Sequence, residues 1–283
     1  IAIAGLEEKV IIPEEKIVCE GQYELGGDNF HCWEHEGHGP MNMHDAITNS
    51  CDVYFYELAR RLGIDPIERV AKKFGLGRPS IPGAFEEKKG LIPGRDWKRA
   101  NLDAAWQTGE TLIAGIGQGY MLVTPIQLAV MTARLANGGK AVTPQLLMKP
   151  QNASNTNDDL VSVDANGAEN NDIQVDPAHI KLMHKAMTSV VNDPDGTAFG
   201  SRLNLSGVAS AGKTGTVQVR RISKDERESG IIPNEELDWH LRDHALFVGF
   251  APVKNPKYSV AVVVEHGGSG SKVAAPIAQK LLK

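Results

Sequence analysis

No run of about 18 consecutive apolar residues occurs in the 283 residues, so no segment can cross a bilayer as a helix. An excess of positive charge is missing too: 30 Lys and Arg stand against 35 Asp and Glu, a formal net charge of −5. Without a basic stripe, nucleic acid is not an expected partner. Cysteine is scarce, with 3 residues, all between positions 19 and 51. What remains is ordinary for a globular chain, 41% hydrophobic and 23% charged. The length holds one large domain or two small ones.

The first residues, Ile1-Ala2-Ile3-Ala4-Gly5-Leu6, read like the last turns of a helix that begins upstream. Residues 10–45 read as loop, rich in Cys, His and Gly. A helix follows, with Asn49 or Ser50 as cap, Val53, Tyr56 and Ala59 on one face, and Gly63 at its end. Asp65-Pro66 opens a second helix that closes near Gly75. Residues 76–110 are read as irregular, and Thr124-Pro125 as the start of another helix. Residues 150–174 are crowded with Asn and Asp and are expected to form an exposed polar insertion. Asp176-Pro177 caps a helix with Ile180, Met183, Met187 and Val190 on its apolar face. Strands are expected at about 207–222, 244–251 and 257–265, and a last helix at about 273–283. Helices, three consecutive strands and a helix predict an α+β fold, an antiparallel sheet flanked by helices.

Lys213-Thr214-Gly215-Thr216 is the most informative stretch. It opens an apolar alternation, Val217 and Val219, expected of a strand. A cation, two hydroxyls and a bare glycine backbone at a strand edge make a seat for a carboxylate and an oxyanion. Some 160 residues earlier, Ser50-Cys51-Asp52 stands at a helix opening, where a hydroxyl and a carboxylate can enter one cleft. Alone, either motif has a bland reading: a capped helix start, or an edge strand protected by a lysine.

Together these residues resemble the transpeptidase domain of class B penicillin-binding proteins, whose signature is Ser-x-x-Lys, then Ser-x-Asn or Ser-x-Asp, then Lys-Thr-Gly. Gly115-Ile116-Gly117-Gln118-Gly119-Tyr120, Val123-Thr124-Pro125, Gly196-Thr197-Ala198 and His244 to Pro252 resemble the family in the same order. The Asp of Ser50-Cys51-Asp52 is similar to the elongation-specific branch, penicillin-binding protein 2, more than to the septal one. The resemblance implies the penicillin-binding protein and serine β-lactamase fold over residues 1–283. One motif is missing: no Ser-x-x-Lys lies before Ser50. Ser210 to Lys213 overlaps the strand motif, and Ser269 to Lys272 lies in a glycine turn. The resemblance therefore puts the nucleophile just before residue 1, and this chain alone is expected not to acylate.

For the intact protein the resemblance implies a serine attacking the carbonyl between two D-alanines of a peptidoglycan stem peptide, with a lysine as base. Ser50 would relay a proton to the leaving amine and Asp52 would complete the polar network. Lys213 would supply charge, while Thr214, Gly215 and Thr216 bind the terminal carboxylate and the oxyanion. The peptide would lie antiparallel to the strand at 213–219. β-Lactams would stall at the acyl stage. A membrane glycan polymerase of the elongation machinery is the implied partner, with the catalytic domain in the periplasm and a membrane anchor outside this chain.

Cys19-x12-Cys32-x5-His38-x12-Cys51 offers three thiolates and an imidazole, a closed tetrahedral set for structural Zn2+, with His31 and His35 as substitutes for His38. The implied location, outside the cytoplasmic membrane, keeps a Cys19–Cys32 disulfide or unpaired thiols open. Residues 223–241, including Trp239, read either as a solvated loop or as a lid. Rival functions are a serine β-lactamase, for which Glu57 and Glu110 are the available carboxylates, and a non-catalytic β-lactam sensor.

Overall fold

The computed structural model describes residues 1–81, 84, 86–146, 172–220, 222, 223, 226, 227 and 230–283. Its centre is a three-stranded antiparallel sheet in the order β5 (Ala211–Val217), β6 (His244–Ala251), β7 (Tyr258–Val264). Lys213 pairs with Val248 and Thr216 with Ala245; Leu246 pairs in turn with Val263. The alternation in β6 buries Ala245 and Phe247 completely on one face. Since β6 holds the middle, the outer edge of β5 has no strand partner among the described residues.

Helices cover both sides of this sheet. Helix α7 (Pro125–Ala136) packs on β7, and α9 (Ala275–Leu282) on β6 and β7. Thr124 caps α7 with a capping box closed by Gln127, and Pro125 occupies its first turn. Helix α8 (Pro177–Asn192) lies against β5, capped by Asp176, with Ile180, Met183, Met187 and Val190 buried as the sequence predicts. It also packs on α2 (Met43–Thr48) and α1 (Ala2–Glu7). The core continues through α3 (Asp52–Leu62), whose Val53, Tyr54, Leu58 and Ala59 are buried. Helix α6 (Thr108–Gly115) crosses α3 so closely that a Cβ on Gly115 would meet the Ala59 Cβ at 2.5 Å.

Several boundaries differ from the sequence reading, each for a physical reason. The N-cap of α3 is Cys51, not Asn49 or Ser50, and no side chain caps it. The thiol joins a buried cluster of cysteines, with the Tyr54 backbone N–H beside it. The second helix, α4 (Ile64–Lys73), starts one residue before Asp65, with Gly63 at its cap. Residues 10–45 hold four short strands, β1 (Ile17–Cys19), β2 (Gln22–Leu25), β3 (Asp28–His31) and β4 (Gly39–Met41). They form two two-stranded ladders, β1–β4 and β2–β3, too short to show as periodicity. The stretch read as irregular contains α5 (Arg95–Leu102) and the start of α6. These two are joined by the buried Lys98 ammonium, 2.5 and 2.6 Å from the two carboxylate oxygens of Glu110. Strand β5 ends at Val217, short of the expected 222. Of the expected insertion at 150–174, residues 150–171 lie outside the described residues. At its far end Ile173 is buried rather than exposed, its N–H donating to the Gly139 carbonyl at 2.7 Å.

Candidate active site and metal-ligand cluster

Ser50 sits in the turn between α2 and α3. The Cys51 N–H returns to the Ala46 carbonyl at 2.9 Å, and Ser50 takes the left-handed conformation, φ +56°. That conformation costs a non-glycine residue about 1 kcal/mol, and the packing around the turn enforces it. The result is a hydroxyl aimed at the sheet. Lys213 Nζ, on β5, donates to Ser50 Oγ at 2.8 Å and to the Thr214 carbonyl at 3.0 Å. The two motifs, far apart in sequence, therefore meet.

Ser50, Asp52, Thr214, Gly215 and Thr216 line one cleft of about 1110 Å³. Lys213 reaches it through its contact with Ser50. Thr214 Oγ1 lies 2.8 Å from Thr197 Oγ1, and Thr216 Oγ1 accepts from the Gly270 N–H at 3.3 Å. Gly270 is required there: a Cβ would sit 2.2 Å from the Gly215 carbonyl oxygen. Gln118 enters the cleft wall from a turn whose flanking Gly117 and Gly119 both have positive φ.

The electrostatics are coupled. Burial lowers the Lys213 ammonium to about 8, with Asp52 acting in the opposite direction. Burial, and then the neighbouring Cys32 thiolate, push the Asp52 carboxyl up to about 7. Asp52 Oδ2 accepts the Trp33 backbone N–H at 3.0 Å. The Trp33 indole N–H is shared by the Asn49 and Ser50 carbonyls, at 3.1 and 2.9 Å. Trp33 thus clamps the Ser50 turn, a contribution the sequence reading missed. Its only signal was its place beside Cys32.

Cys19, Cys32, His38 and Cys51 converge on the other side of that clamp. Their ligand atoms all lie within 4.8 Å of one another, and His38 Nδ1 is 3.6 Å from Cys19 Sγ and 3.5 Å from Cys32 Sγ. A tetrahedral zinc with Zn–S bonds of about 2.3 Å needs ligand separations of about 3.8 Å. The cysteines are buried, and each is a free thiol. Hydrogen bonding from Cys51 holds the Cys32 thiol down to about 4, while that same contact and burial raise Cys51. His38, not His31 or His35, is the imidazole in this set.

The remaining serines are elsewhere. Ser210 is fully buried and donates to Gln279 Oε1 at 2.8 Å. Ser269 lines the cleft, but its Oγ accepts from the Lys272 backbone N–H, and the Lys272 side chain belongs to an exposed residue. Neither serine has a lysine base. The carboxylates a β-lactamase would need are also engaged away from the cleft. Burial alone would raise Glu57, but Arg60, Arg61 and the Tyr23 hydroxyl hold it down to about 2. Glu110 is paired with Lys98. Trp239, read as part of a lid, packs against His266 with ring centroids 4.4 Å apart and planes inclined by 58°, and is not in the cleft wall. Lys224, Asp225, Glu228 and Ser229 of that stretch lie outside the described residues.

A lysine–serine pair behind the outer edge of a strand, inside a helix-flanked antiparallel sheet, is an arrangement able to support serine acyl-transfer chemistry. The family profile described as the penicillin binding protein transpeptidase domain matches residues 1–283, and the chain belongs to that family. Within it, the chain is similar to the peptidoglycan D,D-transpeptidase MrdA. It is 36% identical to the Acinetobacter baumannii protein over 286 residues, 98% of this chain and 40% of that one. It is likewise 36% identical to the Haemophilus influenzae protein, covering 100% of this chain and 42% of the relative. The chain thus spans about two fifths of the length of these curated relatives. Among solved structures, Pseudomonas aeruginosa PBP2 in complex with WCK 5153 superposes with a TM-score of 0.82 at 39% identity, over 99% of this chain and 57% of that one.

Proposed function

We propose that this chain is the acyl-transfer domain of a peptidoglycan D,D-transpeptidase that cross-links stem peptides during cell elongation and is acylated by β-lactams. The observation that carries the reading is the 2.8 Å contact between Lys213 Nζ and Ser50 Oγ behind the unpaired edge of β5.

The donor peptide adds to β5 as an antiparallel strand. Thr216 Oγ1 already accepts from Gly270, so its proton is free to bind the terminal carboxylate, beside Thr214 and the Lys213 charge. The Thr216 N–H is one oxyanion donor. The attacking serine and its lysine base belong to the family's Ser-x-x-Lys segment, which we place upstream, leading into α1. Serine Oγ bonds to the carbonyl carbon, the lysine takes its proton, and the C–N bond to the last D-alanine breaks. The departing amine needs a proton. Lys213 donates to the oxygen of Ser50, which leaves the Ser50 hydroxyl hydrogen directed elsewhere for that transfer. The amine nitrogen of a second stem peptide then bonds to the acyl carbon, the C–O bond to the serine breaks, and the amine's proton passes to the serine oxygen, which frees the serine and leaves the cross-link.

The Cys19, Cys32, His38, Cys51 set fits Zn2+, which supplies no chemistry to the reaction and pins the 17–41 segment to α3. Its support is the convergence of four ligand atoms from four stretches of chain onto one buried point. The intact protein is anchored in the inner membrane with this domain in the periplasm. A membrane glycan polymerase of the elongation machinery is its partner; the chain's likeness, at 29% identity and a TM-score of 0.70, to a component of a peptidoglycan synthase complex that coordinates polymerization and crosslinking supports that pairing.

Mass spectrometry with a labelled penicillin tests the reading. Residues 1–283 alone are expected to form no covalent adduct, and a chain extended upstream to the length of its relatives a stable one. An adduct on Ser50, Ser210 or Ser269 overturns the assignment of the nucleophile. Rapid turnover of the penicillin would make the protein a hydrolase.

A further inference from the structure

We propose that Arg227 is a specificity-determining residue, which binds a side-chain carboxylate on the donor peptide upstream of its D-Ala-D-Ala end. The inference deepens the transpeptidase reading and rests on it.

Arg227 lines the same cleft as Ser50 and Thr216, on the wall that carries His31 and Tyr56. Among the described residues, no carboxylate lies within ion-pair reach of it. Arg78, Arg99 and Arg202 also lack a carboxylate partner, but among the described residues Arg227 is the arginine that lines the cleft. Arg60, Arg61, Arg69, Arg95 and Arg220 each face an Asp or Glu, and Arg134 and Arg242 hold backbone carbonyls. The adjacent carboxylate, Glu226, is spent on Arg220 through two bonds of 2.6 and 2.5 Å. The acidic residues of the cleft are engaged or remote. Asp52 takes the Trp33 N–H, Asp243 takes Asn234 Nδ2 at 3.1 Å, and Asp28 is exposed at the β2–β3 turn. Arg227 is partly buried, and that burial works against its charge. Glu226 acts on it only at a distance, since both of its carboxylate oxygens are taken by Arg220. A half-desolvated guanidinium with no ion-pair partner of its own, at the wall of a binding cleft, is an anion seat. Its planar fork matches a carboxylate.

Strand polarity says which part of the ligand arrives there. A peptide antiparallel to β5, with its terminal carboxylate at Thr214 and Thr216, must run its earlier residues toward Val217 and beyond. Each residue advances about 3.4 Å. Past Val217 the cleft is lined by Gln218, Ile222 and Arg227. Lys213 and Arg227 are therefore two cationic poles, one for the C-terminal carboxylate and one for a second carboxylate upstream. A peptide carrying an amide or an amine at the second position would leave the guanidinium desolvated and unpaired, which is how polar sites reject the wrong ligand.

Two synthetic peptides ending in D-Ala-D-Ala test this, identical except for a free acid or a carboxamide on the side chains of the two upstream residues. Dissociation constants are measured with the chain extended to its relatives' length, so the result does not depend on turnover. The acid is expected to bind about ten-fold tighter than the amide. Arg227→Gln should bring the ratio close to one, and Arg227→Lys should leave an intermediate ratio, since an ammonium keeps the charge and loses the fork. The ratio is internal to each variant, so a general loss of binding does not mimic the effect. Equal affinities in the unaltered chain, or a ratio that persists in Arg227→Gln, overturn the proposal. Penicillin labelling of that same preparation reports separately. An intact ratio without an adduct removes the acyl-transfer reading, and an adduct without a ratio removes the role of Arg227.

Discussion

Ser50 and Cys51 are neighbours in the chain and belong to different sites. Ser50 opens onto a cleft and touches a lysine, whereas Cys51 is fully buried among two thiols and an imidazole. The left-handed turn at Ser50 separates them, and Trp33 braces it from the cysteine side. In the proposed function the first cluster does chemistry with a desolvated cation, and the second gives rigidity because its side chains come from β1, the Trp33 loop, the segment before β4 and the start of α3. The Ser50 side of the turn is held in place from the cysteine side.

The comparison breaks most sharply at Lys213. Lys213→Met in the extended chain is expected to slow penicillin acylation about 100–1,000-fold, the scale of losing one charged or donor group from such a site. The melting temperature should rise, because methionine fills the space without a buried charge. A variant that loses activity and stability together would show the lysine to be structural.

Next comes the cysteine cluster. Chelator treatment, or Cys51→Ser, is expected to cost about 3 kcal/mol or more, a fall of roughly 6–12 °C in melting temperature. The chelator should have no further effect on the variant. A melting temperature indifferent to chelator, with metal content well below one zinc per chain, would remove zinc from the account.

The pH dependence of stability separates the two clusters again. Lys213 titrates near 8 in the folded chain against an ordinary 10.5, so between those values the unfolded state holds the proton and the folded state does not. Stability should therefore rise with pH from about 8 to 10.5, by up to roughly 3 kcal/mol, and the full penalty should remain below 8. Denaturant titrations at several pH values should show this slope in the unaltered chain and lose it in Lys213→Met. An unchanged slope would assign it to another group.

The smallest effect probes the turn. Ser50→Gly should be more stable than Ser50→Ala by about 1 kcal/mol, because only glycine takes φ +56° without strain. Both should impair acylation. Equal stability would mean the turn carries no strain.

The sheet, its flanking helices and the caps of α7 and α8 were legible in the sequence because they rest on local signals. Thr124-Pro125 and Asp176-Pro177 cap helices through neighbouring amides, and the alternation in β6 announces its buried face. The short ladders of residues 17–41 were not legible. Strands of three or four residues carry too little periodicity, and what holds them is distant in sequence: Tyr23 and Phe30 pack on Tyr56, and Cys19 and Cys32 meet Cys51. Helix α5 was missed because its one buried residue is a lysine, Lys98, which no hydrophobic pattern reveals.

The sequence by itself determined the chemistry available: the hydroxyl of Ser50, the ammonium of Lys213, the threonines of β5, and three thiols with an imidazole at zinc-like spacing. Only tertiary structure decided which of these meet. A contact across 163 positions depends on how α8, α2 and β5 pack, and burial, which resets the Lys213 and Asp52 protons, is a property of the surroundings. It also decided which histidine joins the cysteines and left Arg227 facing the cleft without an ion-pair partner among the described residues. Spacing along a chain cannot encode distances set by packing between distant segments.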